Sequence, residues 1–261
     1  MTRKAIFPTP EHLQVAKLVN EYFGSLQHID TVLVVNSCAR GKAVPESDLD
    51  FAILVKPGTL PVLIKEIESA WQAEAEKHQV CLQYKRLHPY AHLHLDMIDG
   101  VYTPSVMEDG GVPDYFEIEI GNHICYSAPM HKEGPYFREL QKKWLPYYGE
   151  ELRLKRLAMT RNACAYDLDH VLVYMKRELY FQAFDRLYIA FQKFLQALFI
   201  AKKTYPIAYN KWIKEQIEIW LGLPDLYPKL SPVISVNNIE SNEMRGKVAM
   251  LSQLLSEFAK D

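Results

Sequence analysis

Asp48 and Asp50 stand two residues apart in Ser47-Asp48-Leu49-Asp50-Phe51, and the apolar run Ala52–Val55 follows them. On an extended strand, residues i and i+2 project from one face. The spacing therefore sets two carboxylates side by side and sends Leu49 and Phe51 the other way, into apolar packing. Two carboxylates on one strand face suit a hard divalent cation such as Mg²⁺, which prefers oxygen ligands and keeps water that substrate phosphates displace. A paired metal site calls for a third acid. Asp96 is the candidate, because His92, His94 and Asp96 alternate with Leu93, Leu95 and Met97 and so share one strand face. Eleven positions before Asp48 comes Ser37, within Asn36-Ser37-Cys38-Ala39-Arg40-Gly41. Small residues after a buried strand let backbone N–H groups and the Ser37 hydroxyl approach phosphate oxygens. Arg40 adds a bidentate, charge-assisted contact to a β- or γ-phosphate, while Lys42 is expected in solvent. These residue types point to metal-assisted chemistry on a polyphosphate.

Such groups need an α/β scaffold, and the patterning supplies one. Apolar residues at helical spacing predict a helix between Pro8 and Leu26, and the β-branched run Thr31–Val35 predicts a buried strand. Leu49–Val55 predicts a second strand and Pro61–Glu76 a helix. Val80–Lys85, His92–Ile98 and Tyr115–Ile120 alternate as strands do. Asp99–Pro113, with three glycines and two prolines, reads as a long loop. After Pro135 helical period dominates. The stripe Phe181, Phe184, Tyr188, Phe191, Leu195, Leu198 marks core packing between helices. Further helices are expected near 150–178, 208–221 and 243–259, with Pro224, Pro228 and Pro232 breaking the chain between the last two. The expected organisation is an α/β (α+β) catalytic domain over residues 1–130, a mixed sheet flanked by helices, and an all-α helical bundle over 131–261.

The chain has 261 residues, of which 49% are hydrophobic and 24% charged, an ordinary globular composition that excludes disordered and collagen-like classes. Thirty basic against 32 acidic side chains, a formal net charge of -2, give no overall attraction for a long nucleic acid. Cys38, Cys81, Cys125 and Cys164 contain no CxxC pair, which fits free thiols in a reducing, cytoplasmic setting. No apolar run reaches the length of a membrane span, and the N-terminus lacks an export signal. Charge is unevenly spread. Leu87–His131 has no Lys or Arg but holds Asp96, Asp99, Glu108, Asp109, Asp114, Glu117 and Glu119, whereas Lys132–Arg161 has eight basic residues against four acidic. Acidic and basic walls suit a cationic acceptor on one side and a polyphosphate on the other; two separately solvated faces are the plainer alternative.

The stretch VLVVNSCARGKAVPESDLDF (32–51) resembles the signature of the DNA polymerase β-like nucleotidyltransferase superfamily: Gly-Ser, about ten residues, then Asp-x-Asp/Glu. In layout the chain is most similar to kanamycin- and lincosamide-type antibiotic nucleotidyltransferases, in which a helical domain follows the catalytic one. One departure is Asn36 where the family has Gly; asparagine tolerates left-handed backbone better than most residues. The resemblance implies transfer of a nucleoside monophosphate, AMP from Mg-ATP in the first instance, to an acceptor hydroxyl with release of pyrophosphate. It implies two Mg²⁺ ions on Asp48, Asp50 and Asp96, with Asp96 on the nucleophile side or acting as base, and β- and γ-phosphates held by Ser37 and Arg40. Helical domains of similar enzymes often lend a lysine to the nucleotide, which makes Lys211 of TYPIAYNKW a candidate. The expected partner is a small, cationic, aminoglycoside- or lincosamide-like acceptor. No membrane or long nucleic acid is expected, and a homodimer is left open.

Other residues carry competing readings. His88, His92 and His94 beside Asp96 resemble a transition-metal cluster, but a hard-metal site already accounts for Asp96. Glu117 and Glu119, on one face of a strand, would recognise an amine or simply be solvated. Arg186 and Lys193 would face a cleft or solvent. Trp144, Trp212 and Trp220 would pack a seam or stack on a base. Protein AMPylation and a catalytically silent nucleotide-binding module are the alternative functions.

Overall fold

The structure is a computed structural model and describes residues 4–87, 90, 92–106, 110–131 and 133–261. His88, Glu108, Asp109 and Lys132, which figured in the sequence reading, lie outside the described residues. The fold is α/β followed by a helical region. Contacts divide it into two compact units, residues 1–102 with 119–146 and residues 103–118 with 147–261, in place of a single boundary at 130/131.

The first unit is built on a four-stranded mixed sheet of order β3-β2-β1-β4. Strand β1 (Ile29–Val34) pairs antiparallel with β2 (Leu49–Val55) and with the two-residue β4 (Ala128–Pro129). Strand β3 (Leu93–Ile98) runs parallel to β2, in a register that places Asp50 opposite His94 and Ala52 opposite Asp96. Helix α1 (Pro10–Gly24) starts where Thr9 caps it and Pro10 presets the first turn. Its face of Val15, Ala16, Val19 and Phe23 joins Leu49, Phe51, Ile53 and Val55 in one core, together with Ile67 and Trp71 of α3 (Pro61–Ala75). That core takes up the face of β2 opposite Asp50. Helix α2 (Asn36–Arg40) follows β1, and α4 (Gln79–Lys85) precedes β3. Helix α6 (Pro135–Trp144) is capped by Asp30, whose carboxylate accepts from the Tyr136 and Phe137 N–H groups at 3.1 and 3.0 Å.

The second unit is helical. Helices α7 (Glu150–Lys176), α8 (Tyr180–Ala201), α10 (Tyr227–Ile234) and α11 (Glu243–Phe258) close around Leu168, Leu187, Phe194, Leu198 and Leu251. The aromatic stripe is core from Phe191 onward, whereas Phe181 is 78% exposed at the start of α8. The short α9 (Ile213–Glu215) runs into a π-helical turn, Gln216–Trp220. The prolines break the chain less than expected: Pro228 starts α10 and Pro232 lies inside it.

Two expected strands are helices. In α4, the apparent alternation of Val80–Lys85 is a short helix in which Cys81 and Tyr84, three apart, share the buried face and His78 caps the Val80 N–H. Tyr115–Ile120 contains α5 (Phe116–Ile120), continued by a π-helical turn at Gly121–Cys125. Residues two apart on a helix face nearly opposite ways, and accordingly Glu117 is fully buried while Glu119 is exposed. Short apolar-polar runs fit both periods, so packing decides between them.

Candidate metal and nucleotide site

The site grows from β2 and its two neighbours. Paired residues in a sheet project from the same face, so the β2–β3 register carries Asp50, His94 and Asp96 on one side. Asp48, just ahead of β2, is held there from β3: its Oδ1 accepts from the His92 N–H at 3.0 Å and its Oδ2 lies 3.7 Å from His94 Nε2. The Leu49 N–H donates to the His92 carbonyl at 2.9 Å and extends the ladder to the first residue of β2. Three acids two to 48 positions apart in the chain thus share one face of adjacent strands.

On the other side of β2, the Val35 N–H donates to the Asp50 carbonyl at 3.0 Å, which brings the end of β1 level with the second acid. The chain then turns into α2. Asn36 adopts φ 55°, the left-handed backbone its residue type tolerates. Gly41 ends the helix at φ 68°, its N–H returning to Cys38; a Cβ there would meet Ile6 Cδ1 at 2.9 Å. Ser37 and Arg40 are half-buried on α2, and between them Cys38 and Ala39 enter the core. Burial, reinforced by the Asp50 charge and opposed by a hydrogen bond with Ser37, pushes the Cys38 thiol up to about 12. It is a packing residue without nucleophilic character.

Two buried side chains brace the start of β2. His12 on α1 is fully buried; Nε2 donates to the Ser47 carbonyl at 3.0 Å, and Nδ1 is 2.8 Å from the Thr9 hydroxyl. Tyr84 on α4 donates toward the Ser47 and His92 carbonyls at 3.3 and 3.4 Å, and the His12 ring meets it edge-on at 4.9 Å. Burial first and the Asp48 charge second push the Tyr84 hydroxyl well above its ordinary range, so it stays a donor. Sequence reasoning passed over both residues. For His12 the signal was present, since it falls on the α1 face of Val15, Ala16 and Val19; for Tyr84 it was hidden by the strand assignment.

The remaining candidates are spread over both units. Lys211 is exposed in the second unit, in the turn before α9, where its carbonyl accepts from Gln216 Nε2 at 2.9 Å. Tyr205 and Tyr209 are buried. Trp144 is buried in the first unit, whereas Trp212 is exposed in the second. Lys193 is buried away from solvent, and Arg186 and Lys193 both hold the buried Asp167, at 2.5 and 2.6 Å. Glu117 is engaged by Arg156 Nε at 2.6 Å and by Tyr148 at 2.7 Å, and Asp114 by Arg156 at 2.7 Å. Part of the acidic span therefore neutralises part of the basic span inside the second unit.

Mg²⁺ fits the donors near Asp48 chemically. They are carboxylate oxygens, and Asp48 and Asp96 face solvent. Among the described residues no group of three or more His, Cys, Asp or Glu is gathered closely enough to hold a metal ion, so Asp48, Asp50 and Asp96 share a face without forming a three-acid cluster. An open arrangement matches a cation that takes one or two carboxylates and completes its shell with water and substrate phosphate. No family model matches the chain, and no curated protein sequence matches it. No helix among the described residues is long and apolar enough to cross a membrane.

Proposed function

We propose that the protein is a nucleotidyltransferase that moves a nucleoside monophosphate, AMP from Mg-ATP, onto a hydroxyl of a small cationic acceptor. The observation that carries this reading is the common face of Asp48, Asp50 and Asp96 on β2 and β3, beside the turn that bears Ser37 and Arg40 at the end of β1. Bound Mg²⁺ would lower the pKa of the acceptor hydroxyl and neutralise charge on the triphosphate. Asp48 and Asp50 would hold the metal ions, and Asp96 would hold the ion nearer the acceptor or receive the hydroxyl proton. Ser37 and Arg40 would grip the β- and γ-phosphates, and Lys211 is the candidate that the helical unit offers to the nucleotide. The acceptor oxygen forms a bond to the α-phosphorus as the bond from that phosphorus to the β-phosphate bridging oxygen breaks. Pyrophosphate leaves with the electron pair, and the hydroxyl proton passes to Asp96 or solvent.

The test is pyrophosphate release from Mg-ATP over a panel of amine-bearing and neutral alcohols, paired with Mn²⁺ binding read by electron paramagnetic resonance. Asp48→Ala should lower turnover about 1,000-fold or more and weaken Mn²⁺ binding. Undiminished turnover in Asp48→Ala would refute the assignment.

A further inference from the structure

A cavity of about 280 Å³ opens in the first unit past the end of β3, lined by Ile64, Met97, Ile98, Asp99, Gly100, Val101, Tyr102, Glu119 and His123. It begins one residue beyond Asp96, at Met97. Its wall is built rather than loose. Gly100 turns the chain at φ 74°, where a Cβ would collide with Leu140 and Tyr136, and the Tyr136 hydroxyl donates to the Asp99 carbonyl at 2.9 Å. Trp144 meets the Tyr102 ring edge-on at 5.8 Å. His123 stands in the π-helical turn at Gly121–Cys125, a distortion that recurs at functional sites.

Two polar atoms in this lining are unsatisfied. The Tyr102 hydroxyl and His123 Nδ1 are buried with no hydrogen-bond partner among the described residues. Burying a polar group without a partner is costly, so such groups point to a ligand or water that completes them. The charge is one-sided: Asp99 and Glu119 contribute carboxylates, and among the described residues no Lys or Arg lines the cavity. Its volume lies at the lower edge of the roughly 300–1,000 Å³ of sites for drug-sized ligands, which suits a body of one ring. Ile64, Met97, Ile98 and Val101 offer apolar contact to the carbon face of such a ring.

Resting on the nucleotidyltransferase reading, we infer that this cavity seats the acceptor, an amino alcohol the size of a single sugar ring. Asp99 and Glu119 receive its ammonium group, Tyr102 and His123 bind its polar substituents, and the hydroxyl to be modified lies toward Asp96. Tyr102 and His123 are positioning residues for that acceptor.

Calorimetry on the full chain tests this with glucosamine, glucose and the three-ring kanamycin as probes, and Mg-ATP titrated separately. Glucosamine should bind, with glucose and kanamycin each at least tenfold weaker. Glu119→Gln should weaken glucosamine about tenfold. Tyr102→Phe, which keeps the ring and removes the hydroxyl, should raise KM for glucosamine in the pyrophosphate assay with a smaller change in kcat. Thermal unfolding checks that both variants fold. Absence of glucosamine binding, equal binding of kanamycin, or indifference to both substitutions overturns the acceptor seat. If Mg-ATP binds in that case, the nucleotidyltransferase reading survives without it. Glucosamine binding without any Mg-ATP binding removes that reading and with it the acceptor role.

Discussion

Single residues differ in how visibly the sequence announced them. Asp48 and Asp50 announce a shared face by spacing alone, whereas the buried supports His12 and Tyr84 become meaningful only where they meet the Ser47 carbonyl. A buried thiol supplies a test at this scale. Cys164 is fully buried, its Sγ 3.2 Å from the Ala190 carbonyl, and burial followed by the Asp167 charge raises it from 9.0 to about 12. Between those values the unfolded chain loses the thiol proton and the folded chain keeps it. The contribution to stability is therefore complete below about pH 9 and disappears as pH rises toward 12. Cys164→Ala should flatten this part of the stability–pH curve, measured by urea unfolding; an unchanged slope would contradict the buried neutral thiol.

At the scale of elements, β2 and α3 were legible because their periods are long and unambiguous, and α4 and α5 were not because five to seven residues fit either period. For α5 the deciding fact is a partner far along the chain: Arg156, 39 positions away, occupies Glu117 inside the second unit. Arg156 and Glu117 are 2% and 0% exposed, Asp114 is 10% exposed, and Gln196 Nε2 donates to both acids. Removing one partner of such a cluster leaves a buried charge uncompensated and costs about 3–5 kcal/mol. Arg156→Met should lose about that much in urea unfolding, and Arg156→Met combined with Glu117→Leu should recover part of it. A double variant no better than the sum of the single ones would show that the pair is not coupled.

For the whole molecule, two separate hydrophobic cores imply two separable sets of protection. Phe194 is fully buried in the helical unit, and Phe194→Ala should cost about 3–5 kcal/mol. Amide hydrogen exchange should then accelerate in α7, α8 and α11 and stay unchanged in β1 and β2; equal acceleration in both units would show a single cooperative core. The order of an α/β part before a helical part was readable from hydrophobic period, since each segment's pattern records the shape of the surface it must cover. The composition of each unit was not, because the excursion of 103–118 into the helical unit depends on Asp114 and Glu117 finding Arg156. Spacing along one strand could likewise pair Asp48 with Asp50, because side-chain direction in a strand is a local property. Bringing Asp96 to that face, and opening a cavity beside it, required the parallel register of β3 on β2, and register is set by packing between segments that the chain itself does not make neighbours.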